Sequence, residues 1–90
     1  MEKKNTFKVE LETPIKIDGV QVSELNIRRP KVRDLLAVSK QSGSEQEREV
    51  NLVANLAEVP IETIQDLDLQ DYLKMQEILK GFLSPAMQRK

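Results

Sequence analysis

Two clusters of charged residues are the parts of this sequence whose types and spacing could support chemistry. The first is basic and comprises Arg28, Arg29, Lys31 and Arg33. These cations stand where a helix is predicted to begin, and the N–H groups of a helix N-terminus also attract anions. A phosphate or nucleic-acid site is one reading. Runs of charge are usually solvated surface, however, and the formal net charge of −1 adds no attractive field for nucleic acid.

The second cluster is acidic and comprises Asp66, Asp68 and Asp71. A calcium loop would need further oxygen ligands and a glycine at its turn, and the segment has neither. Capping accounts for two of the three residues without a metal. Asp68 is placed to cap the following helix, and Asp71 lies in its first turn, where the helix dipole favours negative charge. We therefore predict no metal site and no cofactor.

Residues that could carry catalysis are nearly absent. The chain has no cysteine and no histidine, which removes thiolate nucleophiles and the commonest general base. Its serines and lysines lie in no hydrolase motif, and three glycines are too few for a glycine-rich phosphate loop. We predict that the protein is not an enzyme and has no catalytic residue.

The N-terminal part of the chain has the alternating pattern of a β-hairpin, from about residue 6 to about residue 28. Asp18-Gly19 is a two-residue turn signal of type I′, because both positions of that turn need positive φ. After the turn the apolar residues change parity. One extra residue near Ser23-Glu24, a β-bulge, would restore them to the buried face and place Ile27 opposite Leu11.

The remaining chain has helical periodicity interrupted by caps and prolines. Pro30 suits the first turn of a helix, Ser44 and Glu47 form a capping box, and Ser84-Pro85 is expected to end the last helix. The prediction is an α+β fold: an N-terminal antiparallel β-hairpin followed by three to four α-helices in one small domain spanning 1–90. The predicted helices cover about 30–40, 45–58, 60–65 and 69–83, and the segments 1–5 and 84–90 are loose tails.

Apolar helical surface is the remaining candidate for function. The second helix is apolar almost all round. Aromatic residues make up only 3% of the chain, so this apolar surface is mainly aliphatic. This surface is either core or a docking groove for an apolar helix or for another copy of the chain. The residues that we expect to bind protein come from the second and last helices: Leu52, Leu56, Tyr72, Leu79 and Phe82.

Targeting signals are not evident in the sequence. The N-terminus lacks the apolar segment of a signal peptide, and no apolar run approaches the roughly 20 residues that cross a bilayer. A cytoplasmic protein without a membrane partner is expected.

Four short motifs occur in an order that resembles a known family. They are Thr13-Pro14-Ile15, Leu25-x-Ile27-Arg28-Arg29-Pro30, Asp66-Leu67-Asp68-x-x-Asp71-Tyr72 and Gly81-Phe82-Leu83. Together they resemble the small tail assembly chaperones of contractile-tailed phages and Mu-like prophages, the family that groups the products of gene E and gene 41. The resemblance extends over about residues 7 to 83.

The resemblance implies an assembly factor in the cytoplasm of a bacterial host. It would bind the tape measure protein and keep the apolar helices of that protein from aggregating while tube subunits polymerise. Self-association and a frameshift-extended form are open possibilities for partners. Two other functions stay open: a small nucleic-acid-binding regulator that uses the cluster from Arg28 to Arg33, and a minor structural protein of the tail.

Overall fold

A β-hairpin precedes four helices along the chain. The computed structural model describes residues 6–88, with side chains over 6–82. The elements are β1 (Thr6–Ile17), β2 (Val20–Arg28), α1 (Val32–Ser39), α2 (Glu45–Ala57), α3 (Ile61–Gln65) and α4 (Leu69–Gln88). This order confirms the predicted α+β fold. Within the described residues, no helix is both long enough and apolar enough to span a membrane.

The turn between the strands has the predicted geometry. Asp18 has a φ of 53° and Gly19 a φ of 81°, as a type I′ turn requires at both central positions. The two strands are antiparallel, with Ile17 paired with Val20 at the turn. The twist of this turn type matches the twist of the strands, so the turn determines the register of the adjacent pairs.

The irregularity in the hairpin lies in β1, and the prediction of an extra residue near Ser23-Glu24 of β2 is wrong. Between the pairs Glu10–Glu24 and Ile15–Val22, β1 has four residues whereas β2 has only Ser23. The predicted change of parity is nevertheless present. β1 has three residues more than β2 in this interval (four against one), and an odd excess moves the following side chains to the other face of the hairpin.

The corrected register has a physical reason in the bonding of the bulge. Ile27 pairs with Phe7 rather than with Leu11. In the bulge, Pro14 has no N–H to donate to β2. The N–H groups of Glu12 and Thr13 donate instead to the carboxylate of Asp71 in α4. The bulge is therefore bonded to a helix.

The core lies between one face of the hairpin and the helices. α2 packs against both β2 and α3, and α4 packs against β1. The buried apolar side chains form one cluster without an aromatic residue among those described, as the composition predicts. They are Val9, Leu11, Ile15, Leu25, Ile27, Val53, Ala54, Leu56, Ile64, Leu67, Met75 and Leu79.

The start of α2 follows the sequence signal. The Ser44 N–H donates to Glu47 Oε1 at 3.0 Å, and the Glu47 N–H donates to Ser44 Oγ at 3.1 Å. These reciprocal bonds are the predicted capping box. α1 begins later than expected. Lys31 is its N-cap, so Pro30 precedes the cap instead of lying in the first turn.

The last helix continues beyond its predicted end at residue 83. α4 runs through Ser84-Pro85 to Gln88. The predicted loose segment 1–5 and residues 89–90 lie outside the described residues.

Candidate protein-docking surface

Helix α1 turns its large apolar side chains to the solvent. Val32 is 74% exposed, Leu35 67% and Leu36 54%. An amphipathic helix of a small protein ordinarily packs such a stripe on the core. In α1 the buried residue is instead Asp34, and Val38 is half-buried. Single exposed leucines are common, but three neighbours on one short helix form a patch of the kind that binds proteins. We call Val32, Leu35 and Leu36 the α1 surface.

A cavity of about 300 Å³ adjoins the α1 surface. Three helices contribute apolar side chains to its lining: Val32, Leu35 and Val38 of α1, Leu52 of α2, and Phe82 of α4. We call this cavity the α1 groove. A helix side chain from a partner would find apolar contacts on several sides there, which is how hydrophobic grooves hold anchor residues.

An ion pair holds α1 in place. Nη1 and Nη2 of Arg28 each donate to one oxygen of Asp34, both at 2.9 Å. The Lys31 N–H donates to Asp34 Oδ2 at 2.7 Å, and Glu58 lies 3.4 Å from Arg28 Nε. Planar, bidentate pairs of this kind are strong and directional. The pair joins the end of β2 to the first turn of α1. Through Glu58, Arg28 also contacts the C-terminal end of α2.

The pKa values of this pair move in opposite directions. The hydrogen bond from Arg28 lowers the pKa of Asp34 despite the opposing effect of burial. The bond to Asp34 likewise raises the pKa of Arg28. Both residues are therefore held in their charged forms. One of the four cations in the basic cluster is thus neutralised within the fold, which weakens the case for a phosphate or nucleic-acid site there.

The other three cations of the cluster form a basic rim beside the groove. Arg29 and Lys31 contribute to the groove lining, and Lys31 and Arg33 line a neighbouring cavity of about 560 Å³. The Arg29 guanidinium lies 5.3 Å from the ring centroid of Phe82, a cation–π contact. Among side chains 6–82, no carboxylate forms an ion pair with Arg29, Lys31 or Arg33.

The five residues expected to bind protein lie in different places. Leu52 and Phe82 line the α1 groove together. Leu56, only 1% exposed, and Leu79 belong to the core, so they are not accessible to a partner in this conformation. The helices that carry them pack on the hairpin. The apolar face that we expected to bind a partner is therefore buried inside the domain at these two residues.

Tyr72 lies between α2 and α4 and does not line the groove. Its hydroxyl donates to Glu49 Oε1 at 2.7 Å, and the same oxygen accepts from Gln76 at 2.9 Å. Burial, together with the Glu49 carboxylate, raises the pKa of Tyr72. These bonds give Tyr72 a role in joining the two helices.

Sequence reasoning missed the α1 surface, although a signal was present. Five of the eight residues of α1 are apolar. So short a helix cannot pack all of them against one neighbour, because a single contact face covers about a third of its circumference. An apolar excess on this eight-residue helix was therefore the feature that pointed to a docking surface.

The acidic cluster is divided by the fold. Asp68 Oδ1 accepts from the Gln70 N–H at 2.9 Å, as a helix cap does. Asp71 turns to the bulge of β1. No three carboxylates converge on a possible metal position within the part of the chain that the structure describes.

The hairpin and the four helices define a small α+β domain, and α1 adds an exposed apolar surface to it. A family model described as "Phage tail assembly chaperone proteins, E, or 41 or 14" matches residues 8–84. The match covers nearly the whole chain, so the protein belongs to this family of phage tail assembly chaperones. Membership implies interaction with tail proteins. No curated protein and no solved structure matches the chain.

Proposed function

We propose that the protein is a non-catalytic chaperone that binds the tape measure protein in the host cytoplasm during tail assembly. The family membership supports the chaperone role. The observation that carries the binding proposal is the exposure of Val32, Leu35 and Leu36 on one face of α1, next to the apolar α1 groove. An assembly chaperone needs such a surface, because it must shield apolar helices until their final partners arrive.

The energetics of the α1 surface fit reversible shielding. Burying an exposed leucine side chain contributes about 1.5–3 kcal/mol. Three such side chains would provide part of a binding energy that must also offset the entropy lost on association. The surface is also small compared with permanent interfaces. Moderate affinity suits a protein that must leave when tube subunits assemble around its partner.

Co-expression with the tape measure protein tests the proposal. We expect the wild-type chain to keep the tape measure protein in the supernatant after centrifugation. The double substitution Leu35→Ser and Leu36→Ser should leave it in the pellet, because the α1 surface is lost while the core is untouched. The matched control is Leu69→Ser with Leu73→Ser, which changes two exposed leucines of α4 and should keep it soluble.

Two results would count against the proposal. If the wild-type chain leaves the tape measure protein in the pellet, the protein has a different partner. If the Leu35→Ser, Leu36→Ser variant keeps it soluble as well as the wild type does, the binding surface lies elsewhere. Mass spectrometry of purified virions tests the alternative of a minor structural tail protein, because an assembly chaperone is expected to be absent from them.

A further inference from the structure

We infer that the α1 groove binds an amphipathic helix whose apolar anchor residues are flanked by acidic residues. The inference rests on the proposed function for the existence of a helical protein partner, and it adds the chemistry by which that partner is recognised. It follows from the position of the apolar groove next to a basic rim, in which Arg29, Lys31 and Arg33 form no ion pair with the side chains of residues 6–82.

The first step is the shape of the site. Leu35, Leu52 and Phe82 line a cleft with apolar walls from α1, α2 and α4. The α1 surface continues from this cleft onto the solvent side of the same helix. A helix laid against α1 would place one anchor side chain in the cleft, which Val32 also lines, and the next one on Leu36, in the helix-in-groove mode.

The second step is the sign of the charge around the cleft. Arg29, Lys31 and Arg33 surround the N-terminal half of α1, and the structure assigns them no carboxylate partner among side chains 6–82. The two carboxylates near the rim are Asp34, which is buried and bonded to Arg28, and Glu58, which lines the neighbouring cavity and lies 3.4 Å from Arg28 Nε. Arg28, Arg29, Lys31 and Arg33 are four cations against these two carboxylates, so the rim keeps a net positive charge. A partner with acidic flanks gains attraction at this rim, whereas a basic partner is repelled.

The third step concerns a second copy of the chain as occupant. A contact around a twofold axis places the same surface on both sides. Lys31 and Arg33 of one copy would then approach the same cations of the other copy. Like charges brought together at an interface cost binding energy, so the rim disfavours a symmetric dimer through α1 and favours an acidic partner.

Three synthetic helical peptides test the inference with the full chain. All carry the same apolar stripe, and their flanking positions are Glu, Gln or Lys. We expect the glutamate peptide to bind about tenfold more tightly than the glutamine peptide, from two ion pairs of ordinary surface strength. The lysine peptide should bind most weakly. The advantage of the glutamate peptide should shrink with added salt, since exposed charges are screened.

A charge variant assigns the preference to the rim. Lys31→Gln with Arg33→Gln should bind the glutamate and glutamine peptides alike. These two positions are chosen because Arg29 also packs on Phe82. The matched control is Lys8→Gln with Lys16→Gln on the hairpin, which makes the same change in net charge and should keep the preference.

The outcomes separate this inference from the proposed function. Equal binding of the three peptides overturns the inference, even if the tape measure protein is held soluble. A dimer in sedimentation velocity that Leu35→Ser with Leu36→Ser dissociates also overturns it, because a second copy then occupies the groove. If the glutamate peptide binds selectively but the tape measure protein is not kept soluble, the inference is supported and the proposed function is contradicted.

Discussion

At the scale of single residues, Asp71 is the side chain on which the hairpin depends most. It is 0% exposed, and its two oxygens accept the N–H groups of Glu12 at 2.9 Å and Thr13 at 3.0 Å. Lys74 lies 3.6 Å from it. A buried carboxylate is tolerated only where hydrogen bonds and a cation replace its hydration. Asp71 thereby satisfies two N–H groups that the bulge of β1 cannot offer to β2.

The substitution Asp71→Asn should lower the free energy of unfolding by about 2 kcal/mol. An asparagine side chain has one acceptor oxygen, so its amide group would face one of the two backbone N–H donors. Urea denaturation followed by circular dichroism measures the loss. The control is Asp68→Asn, which should change stability little because asparagine caps a helix about as well as aspartate. Equal stability of both variants would show that the carboxylate is dispensable.

The acid sensitivity of the fold follows from two aspartates. The Arg28 hydrogen bond lowers the pKa of Asp34. For Asp71, burial acts to raise the pKa, but the N–H groups of Glu12 and Thr13, together with Lys74, outweigh it and leave the pKa lowered. Both folded-state values are below the ordinary 3.8. Their stabilisation is therefore fully present above that pH and is lost as the pH falls through the folded-state values.

We expect the urea midpoint to be nearly constant from pH 7 to about pH 5 and to decline progressively below pH 4. Asp71→Asn should begin from a lower midpoint and decline less steeply, because one of the two responsible groups no longer titrates. A wild-type protein whose midpoint does not fall on acidification would contradict the assigned bonding. The ionic strength should be constant throughout, so that screening of surface charges does not contribute.

Local residue patterns could predict local bonds and little beyond them. Asp18-Gly19 identified the turn, and Ser44 with Glu47 identified the capping box, because each signal acts within a few residues. The partner of Asp71 is 59 positions away in the chain. Its position in the first turn of α4 has a sufficient local explanation in the helix dipole, so nothing in the sequence required a second role.

At the scale of elements, α1 is the helix with the weakest attachment. It has eight residues, and isolated helices shorter than about 12 residues are marginal in water. Its buried contacts are those of Asp34 and, in part, Val38. The Arg28–Asp34 pair is therefore the principal tether of this helix, and it positions the α1 surface relative to the groove.

The substitution Asp34→Asn should release α1 without unfolding the domain. Charge-assisted bonds contribute about 1.5–3 kcal/mol, so amide exchange in residues 32–39 should accelerate by about ten- to a hundredfold. Exchange in α2 and in the hairpin should change little. Hydrogen–deuterium exchange with peptide-level mass spectrometry measures this difference. In the control Glu58→Gln only an exposed partner of Arg28 is lost, and a small effect is expected. Acceleration spread over all elements would show that the pair supports the whole fold instead.

The elements themselves could be predicted because caps, prolines and periodicity agree along most of the chain. The error in the hairpin lies where a tertiary contact overrules the local pattern. A change of parity requires an odd offset but does not say which strand contains it, and the bonds from β1 to Asp71 decide that. Ser84-Pro85 ends a helix in most contexts, yet α4 continues for one more turn to Gln88.

At the scale of the whole molecule, the fold divides chemically similar leucines between core and surface. Leu56 and Leu36 both stand in apolar stripes, but Leu56 is 1% exposed and Leu36 is 54% exposed. The sequence could predict an excess of apolar helical surface. It could not predict which helix keeps that excess, because the hairpin selects α2 and α4 for the core by packing on them.

The division between core and surface predicts opposite effects for these two leucines. Leu56→Ala should lower the free energy of unfolding by about 2–5 kcal/mol, since it leaves a cavity between α2 and the hairpin. Leu36→Ala should change it by less than about 0.5 kcal/mol. In the co-expression assay the order reverses. Leu36→Ala should reduce the amount of tape measure protein in the supernatant, and Leu56→Ala should not reduce it at temperatures where the variant is folded.

A charged substitution at Leu56 would not test binding, because domains of this size are stable by only about 5–15 kcal/mol and an unpaired buried charge would unfold this one. If Leu56→Ala, still folded, lost the tape measure protein while Leu36→Ala retained it, the docking surface would have to include residues that this conformation buries, and binding would require the helices to open.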